Sequence, residues 1–141
     1  MSALKIEEAL KTQGKCVFPV KGTSMLPLLH KERDTVVIVP VNGRLKKYDV
    51  ALYKAGENYV LHRVIRVKKD YYVIRGDNCI EREKVPFESV IGVAEGFYID
   101  GKYLSVTDRE YILYSKKRCN SFWYRSLKRK AVYGAKRIFK K

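Results

Sequence analysis

Three side chains in this sequence are of types that could act together in nucleophilic catalysis. Ser24 lies in KGTSMLP at residues 21–27, His62 in VLHRV at residues 60–64, and Asp77 in RGDN at residues 75–78. A serine hydroxyl is a weak nucleophile, so it needs a base to accept its proton and a third group to orient that base. A serine on a turn, a histidine within a strand and an acid on a Gly-Asp-Asn turn together suggest a peptidase.

The choice of base is narrow because the chain has only two histidines, His30 and His62. His62 is flanked by an apolar, β-branched run that would fix its position, whereas the surroundings of His30 predict an exposed loop. We therefore predict His62 as the base and keep His30 as the alternative if His62 points away. A glycine before Ser24 permits a sharp turn, and Pro27 prevents the segment from continuing as a regular strand. Ser24 can therefore lie on a turn whose backbone is not paired in a sheet.

Other interpretations of these residues stay open at this point. The nucleophile elbow of the α/β-hydrolases is excluded, because Leu26 stands where its second glycine should be and no helical pattern follows. A Gly-Thr-Ser segment is most often simply a turn, and a strand histidine is most often a packing or surface residue. Asp77 could equally cap its own Gly-Asp-Asn turn through its side chain.

The Ser-Met pair with a proline two residues on, the Leu-His-Arg-Val strand and the Gly-Asp-Asn turn resemble the signal peptidase superfamily, which also contains the LexA-like self-cleaving repressors. The resemblance covers roughly residues 15–100. Bacterial signal peptidases and LexA-like proteins have a lysine base where this chain has His62. The endoplasmic-reticulum and archaeal signal peptidases have histidine, so the chain is more similar to that branch.

The resemblance implies a serine endopeptidase with Ser24 as nucleophile, His62 as general base and Asp77 as orienting acid. It places the oxyanion hole at the backbone N–H of Ser24, with Gly22 and Met25 beside it in the oxyanion and substrate region. Gly22 stands where many signal peptidases have a second serine, which brings the segment closer to the LexA-like form. The residues after Gly-Asp-Asn also depart from the acidic cluster usual in the histidine branch. Small side chains beside the scissile bond are implied as well.

Length and cysteine content indicate one small domain with an appendage. A chain of 141 residues can bury roughly two thirds of its unfolded surface, which suffices for one core. Its three cysteines are widely spaced and form no C-x-x-C pattern, so neither a zinc site nor a disulfide framework is indicated, and a single disulfide remains an alternative. We expect free thiols in a reducing compartment, with no metal and no cofactor.

The patterns of hydrophobic and turn residues predict a mainly β fold. We expect an N-terminal helix over residues 1–14, with Gly14 ending it, and a signal-peptidase-like β domain over 15–108 that is coiled and partly closed. Strands are predicted near 16–21, 34–40, 49–54, 58–67, 70–75 and 88–99. The Asp100-Gly101 pair predicts a two-residue hairpin joining residues 97–99 to 103–105.

A basic amphipathic helix is predicted over residues 109–141. From residue 111 onward there are eleven Lys or Arg and no Asp or Glu, and apolar residues recur at helical spacing. Such a segment could lie on an anionic membrane, bind nucleic acid or cover the domain's own apolar surface. We rank the membrane first and nucleic acid last. The predicted membrane-binding residues are Trp123, Arg125, Lys128, Arg129, Lys130, Lys136 and Arg137.

Two hypotheses about function follow. In the first, a Ser24–His62 dyad, or a triad with Asp77, cleaves a leader or precursor peptide that lies extended beside an exposed strand. In the second, a non-catalytic module keeps the peptidase fold and uses the net charge of +15 to bind anionic membrane or nucleic acid. No run of about 20 apolar residues occurs and the N-terminus has no signal-peptide pattern, so we expect a cytoplasmic protein, or a peripheral one on the inner membrane surface.

Overall fold

A computed structural model of the chain describes residues 3–120. The described part contains an eight-stranded antiparallel sheet and two α-helices. In chain order the elements are α1 (Ala3–Gln13), β1 (Cys16–Pro19), β2 (Thr35–Val39), β3 (Val50–Ala55), β4 (Asn58–Val67), β5 (Tyr71–Arg75), β6 (Glu83–Pro86), a short 3₁₀ turn (Phe87–Ser89), β7 (Val90–Ile99), β8 (Lys102–Ser105) and α2 (Arg109–Asn120). The protein is thus mainly β, as its sequence predicts.

The sheet follows the order β1-β2-β7-β3-β4-β5-β6, and β8 pairs with β7 beside this path. In the described part of the chain the path does not return on itself because β1 and β6 at its ends do not pair, so the sheet is not closed and the partial closure predicted from the sequence is not found. Among the described strands, β1 lies at one end, where it pairs with β2 through the register Cys16–Ile38 to Pro19–Thr35. β4 lies between β3 and β5, so the strand that carries His62 is held from both sides.

Two hydrophobic clusters stabilise the sheet. The larger one includes Ile6 and Leu10 of α1 and Tyr111 of α2, together with strand residues such as Ile38 and Phe97. The smaller cluster contains Leu45, Ala51, Tyr53, Val64, Tyr72, Ile74 and Val85. Both helices therefore contribute to the core that the strands build.

Most of the strands expected from the sequence are confirmed with shifts of one or two residues at their ends. β6 was missed, because its sequence EKVP has one buried side chain, Val85, and ends in proline. A proline is compatible with a strand that lies at a sheet edge, where one row of backbone groups is unpaired. The sequence pattern therefore shows no alternation that would mark β6.

The hairpin at Asp100-Gly101 is confirmed. β7 and β8 pair through Phe97–Leu104, Tyr98–Tyr103 and Ile99–Lys102. Asp100 has φ 51° and Gly101 has φ 83°, which are the positive values that a type I′ turn requires at both central residues.

The N-terminal helix is also confirmed, and Gly14 follows it with φ 71° and a backbone N–H that bonds to the carbonyl oxygen of Leu10. The described part of the predicted C-terminal helix is α2. The predicted membrane-binding residues from Trp123 to Arg137 lie outside the described residues. Over residues 3–120 no helix is both long and apolar enough to cross a bilayer.

Candidate functional site

Ser24 lies in a series of turns between β1 and β2. Gly22 has φ 73°, a value that glycine adopts without the cost that a Cβ imposes. The backbone N–H of Leu26 then bonds to the carbonyl oxygen of Thr23, and that of Leu29 bonds to Met25. These short-range bonds replace a strand ladder, so Ser24 is half-buried and not paired across the sheet.

The turn after β5 holds this serine segment in place. The backbone N–H of Asn78 donates to the carbonyl oxygen of Ser24 at 2.8 Å, and the side-chain amide of Asn78 donates to the carbonyl oxygen of Thr23 at 3.2 Å. The backbone N–H of Asp77 approaches the sulfur of Met25 at 3.4 Å. These contacts join residues that are 52 to 55 positions apart in the sequence, so the Ser24 turn and the Gly-Asp-Asn turn form one unit.

His62 lies next to these two turns at Gly76. Arg63 pairs with Arg75 in the β4–β5 register, so His62 and Gly76 are the next residues facing each other. A Cβ on Gly76 would lie 2.7 Å from the carbonyl oxygen of Ser24 and 3.1 Å from Cδ2 of His62. The Cδ2 side of the His62 ring and the carbonyl oxygen of Ser24 therefore both lie next to Gly76.

Asp77 is buried and its carboxylate is held by Arg63. Nε and Nη2 of Arg63 donate to the two oxygens of Asp77 at 2.7 and 2.9 Å, and the hydroxyl of Tyr114 donates to the second oxygen at 2.8 Å. Asp77 lies in the turn directly after β5, whose last residue, Arg75, pairs with Arg63, and this turn brings the carboxylate to the guanidinium. The orienting role predicted for Asp77 stays a prediction.

Helix α2 completes the environment of this ion pair. Nη1 of Arg63 donates to the backbone carbonyl of Tyr48, the hydroxyl of Tyr111 and the hydroxyl of Ser115. Nε of Arg118 donates to the backbone carbonyl of Asp77 at 3.0 Å. The donors of the buried guanidinium therefore have partners, as a charge taken out of water requires.

The ring nitrogen Nδ1 of His62 contacts Tyr53, which in turn contacts Glu83. Neither Tyr53 nor Glu83 was predicted from the sequence as a site residue. Nδ1 of His62 lies 3.2 Å from the hydroxyl of Tyr53, which donates to a carboxylate oxygen of Glu83 at 3.1 Å. Burial lowers the pKa of His62, and the negative charges of Glu83 and Asp77 oppose this in part. Burial, followed by the charge and hydrogen bond of Glu83, raises the pKa of the Tyr53 hydroxyl, which therefore keeps its proton at neutral pH.

One signal for Tyr53 was present in the sequence. The turn signal at residues 56–58 sets the β3–β4 register, in which Ala51 faces His62. Tyr53 is two residues beyond Ala51, so it shares the face of His62 in a diagonal position that an aromatic side chain can span. Glu83 gave no such signal because it is on β6, the strand that was not predicted.

A pocket of about 420 Å³ opens beside Ser24. Its walls come from β1 and the residues after it, from the start of β4, and from Ile6 of α1 and Leu52 of β3. The apolar side chains that line it include Phe18, Val20, Met25, Leu52 and Leu61. Met25, predicted in the oxyanion and substrate region, is thus a wall residue of this pocket.

The remaining candidate residues are His30 and the three cysteines. His30 is exposed, and its backbone N–H donates to the carboxylate of Asp34 at 2.7 Å. Among residues 3–120, Cys16, Cys79 and Cys119 form no disulfide bond. Within residues 3–120 no group of three or more His, Cys, Asp or Glu side chains is arranged to hold a metal ion.

No model of a known protein family matches the chain, and no curated protein sequence matches it significantly.

Proposed function

We propose that the protein is a serine endopeptidase of signal-peptidase-like type, in which Ser24 is the nucleophile and His62 is the general base. The observation that carries the proposal is the closeness of the Ser24 turn and the His62 ring, since a Cβ on Gly76 would lie 2.7 Å from the carbonyl oxygen of Ser24 and 3.1 Å from Cδ2 of His62. A pair of this kind has a hydroxyl to attack an acyl carbon and a nitrogen to accept its proton. Both are half-buried side chains, held by elements far apart in sequence.

The state of His62 supports this role. A general base must be unprotonated, and burial lowers the pKa of His62 below its ordinary value of 6.5. The ring is therefore neutral at pH 7. After proton transfer, the nearby charges of Glu83 and Asp77 would stabilise the imidazolium, since both favour its charged form.

The pocket beside Ser24 supports a peptide or protein precursor as substrate. β1 has a neighbour on one side among the described strands and lies at the end of the sheet path. An extended peptide can add to such an edge through backbone hydrogen bonds, while its alternate side chains enter a pocket. Since Phe18, Leu52 and Leu61 line this pocket, we propose that the substrate presents an apolar side chain there.

The test is cleavage of an extended-peptide library, read by mass spectrometry. Ser24→Ala and His62→Ala should each lower kcat/KM on the order of 10⁴-fold or more, and the double variant should lose little beyond either single one, because the two residues act as a unit. Ser89→Ala, in the 3₁₀ turn before β7, is the matched control and should cleave normally. Independent, multiplying losses at Ser24 and His62, or cleavage that survives Ser24→Ala, would contradict the proposal.

A further inference from the structure

We propose that Tyr53 and Glu83 are the positioning residues of His62, and that they hold its proton on Nδ1 so that the lone pair of Nε2 faces Ser24. The catalytic consequence of this inference rests on the proposed function, whereas the position of the proton does not. Neither residue was predicted from the sequence as part of the site.

The inference depends on which group supplies the proton in each hydrogen bond between Glu83, Tyr53 and His62. The Tyr53 hydroxyl has a single proton, and it donates that proton to Glu83 at 3.1 Å. An ionised carboxylate accepts hydrogen bonds but cannot donate one. The 3.2 Å contact between Tyr53 and Nδ1 of His62 can then be a hydrogen bond only if Nδ1 is the donor. In a neutral imidazole the other nitrogen, Nε2, is left with a lone pair.

The position of the two nitrogens makes this tautomer the useful one. Cδ2, the carbon bonded to Nε2, is on the side of the ring next to Gly76, while Nδ1 faces Tyr53. The unprotonated nitrogen is thus on the side of the ring away from Tyr53, which is the side that we propose faces the serine. In a Ser-His-Asp triad the acid has this same duty, which is to hold the tautomer and stabilise the imidazolium that forms.

Packing fixes the position of the Tyr53 ring. Tyr53 is 1% exposed, belongs to the smaller hydrophobic cluster, and its ring meets that of His62 edge-on with centroids 6.1 Å apart. Glu83 is two residues before the buried Val85 on β6 and so shares its face, while the side chain of Glu83 itself is exposed. A buried ring has few alternative rotamers, so the hydroxyl of Tyr53 stays between His62 and Glu83.

Asp77 has a different part in this arrangement. Both of its oxygens accept hydrogen bonds from Arg63, and its charge favours the protonated form of His62. Asp77 therefore acts on the base through charge and through the turn that it anchors. Tyr53 acts on His62 through a hydrogen bond, and Glu83 acts on His62 through Tyr53.

The experiment is a long-range ¹H–¹⁵N correlation spectrum of the full chain with labelled histidine, recorded about two units above the ordinary histidine pKa of about 6.5. The chain has two histidines, so His30→Gln assigns the signals, and the exposed His30 is the reference for an imidazole in water. We expect the His62 proton on Nδ1. A proton on Nε2 would overturn the inference, and the one variant used for assignment, His30→Gln, changes no residue that contacts His62.

Variants then test each link. Tyr53→Phe and Glu83→Ala should shift the His62 tautomer ratio toward that of His30, and Glu83→Gln should shift it less, because an amide oxygen still accepts a hydrogen bond. Tyr72→Phe is the matched control, since Tyr72 is 2% exposed in the same cluster and its hydroxyl bonds to the backbone of Leu45. An unchanged ratio in Tyr53→Phe would also overturn the inference.

Kinetics give a second readout. Tyr53→Phe should lower kcat roughly 10²-fold, the lower end of what general base catalysis contributes, with little change in KM, while Tyr72→Phe leaves both unchanged. A loss confined to KM would contradict a positioning role. If cleavage survives Ser24→Ala, the proposed function fails and the tautomer result stands. If cleavage needs both Ser24 and His62 but the proton is on Nε2, the present inference alone fails.

Discussion

Arg63 and Asp77 form a two-point ion pair inside the fold, with side chains that are 0% and 2% exposed. Arg63 directly follows His62 on β4. Asp77 directly precedes Asn78, whose backbone N–H holds the carbonyl oxygen of Ser24. The ion pair therefore links the strand that carries the proposed base to the turn that carries the proposed nucleophile. It explains how two segments from distant parts of the chain keep a constant spacing.

The first prediction concerns this ion pair. Asp77→Asn should lower the free energy of unfolding by about 3–5 kcal/mol, because removing one partner leaves a buried charge without compensation. The measurement is a urea titration followed by tyrosine and tryptophan fluorescence. Lys15→Gln is the control, since it breaks an exposed ion pair with Glu95 at 3.5 Å, which should be worth no more than about 1 kcal/mol. Equal effects of the two variants would mean that Asp77 does not anchor the fold.

The second prediction is the pH dependence of cleavage. Burial lowers the pKa of His62 from 6.5, and a protonated ring cannot accept the proton of Ser24. The rate should therefore be constant near neutral pH and fall as the pH drops through a value below 6.5. A profile of kcat/KM against pH measures this, and His30→Gln should leave the acid limb in place. An acid limb centred above 6.5 would contradict the burial of the base.

The third prediction concerns the glycine between the two proposed catalytic residues. A Cβ at Gly76 would lie 2.7 Å from both the carbonyl oxygen of Ser24 and Sγ of Cys79, so Gly76→Ala must push the Ser24 turn away from His62. We expect kcat to fall on the order of 10²-fold, as a displacement of about 1 Å at a reacting group can cause. Peptide cleavage, measured where the variant is folded by circular dichroism, tests this.

Gly43→Ala is the control for that variant. Gly43 has φ 80° and nothing within 4 Å of a built Cβ, so its substitution strains the backbone without touching the site. Cleavage should therefore be normal in Gly43→Ala. If Gly76→Ala also cleaves normally, Ser24 and His62 do not depend on their close approach at this point.

The fourth prediction concerns the basic C-terminal segment. Deletion of residues 121–141 should abolish binding to anionic vesicles and leave the fold intact. The deletion begins at 121 because α2 ends at Asn120 and Arg118 in its last turn donates a hydrogen bond to the backbone carbonyl of Asp77. The deleted stretch has eight Lys or Arg residues, each contributing about 1 kcal/mol near an anionic leaflet.

Two comparisons separate the partners of this segment. Trp123 fluorescence should shift to the blue with anionic vesicles and not with duplex DNA, and the shift should weaken with salt, since charges are screened over about 8 Å at physiological ionic strength. Replacing Lys128, Arg129 and Lys130 by Gln should weaken vesicle binding while Trp123 is kept. Tight binding to DNA without any shift on vesicles would reverse the assignment.

The sequence by itself determined most of the strands, the N-terminal helix and the Asp100-Gly101 hairpin. These features depend on local causes: β-branched and aromatic residues favour strands, and the positive φ values of a two-residue hairpin turn favour Gly, Asn and Asp. It also singled out Ser24 and His62, because few residue types can serve as nucleophile and base.

The tertiary structure decided which groups surround those two residues. Tyr53, Glu83 and His62 come from β3, β6 and β4, so their meeting depends on strand order and register, which no local pattern contains. The partner of Asp77 depends on the same pairing, since the β4–β5 register and the turn after β5 bring this carboxylate to Arg63. Side chains on one face of a sheet meet only after the strands have paired, and that is the physical reason why the sequence could single out the proposed catalytic residues but not their neighbours.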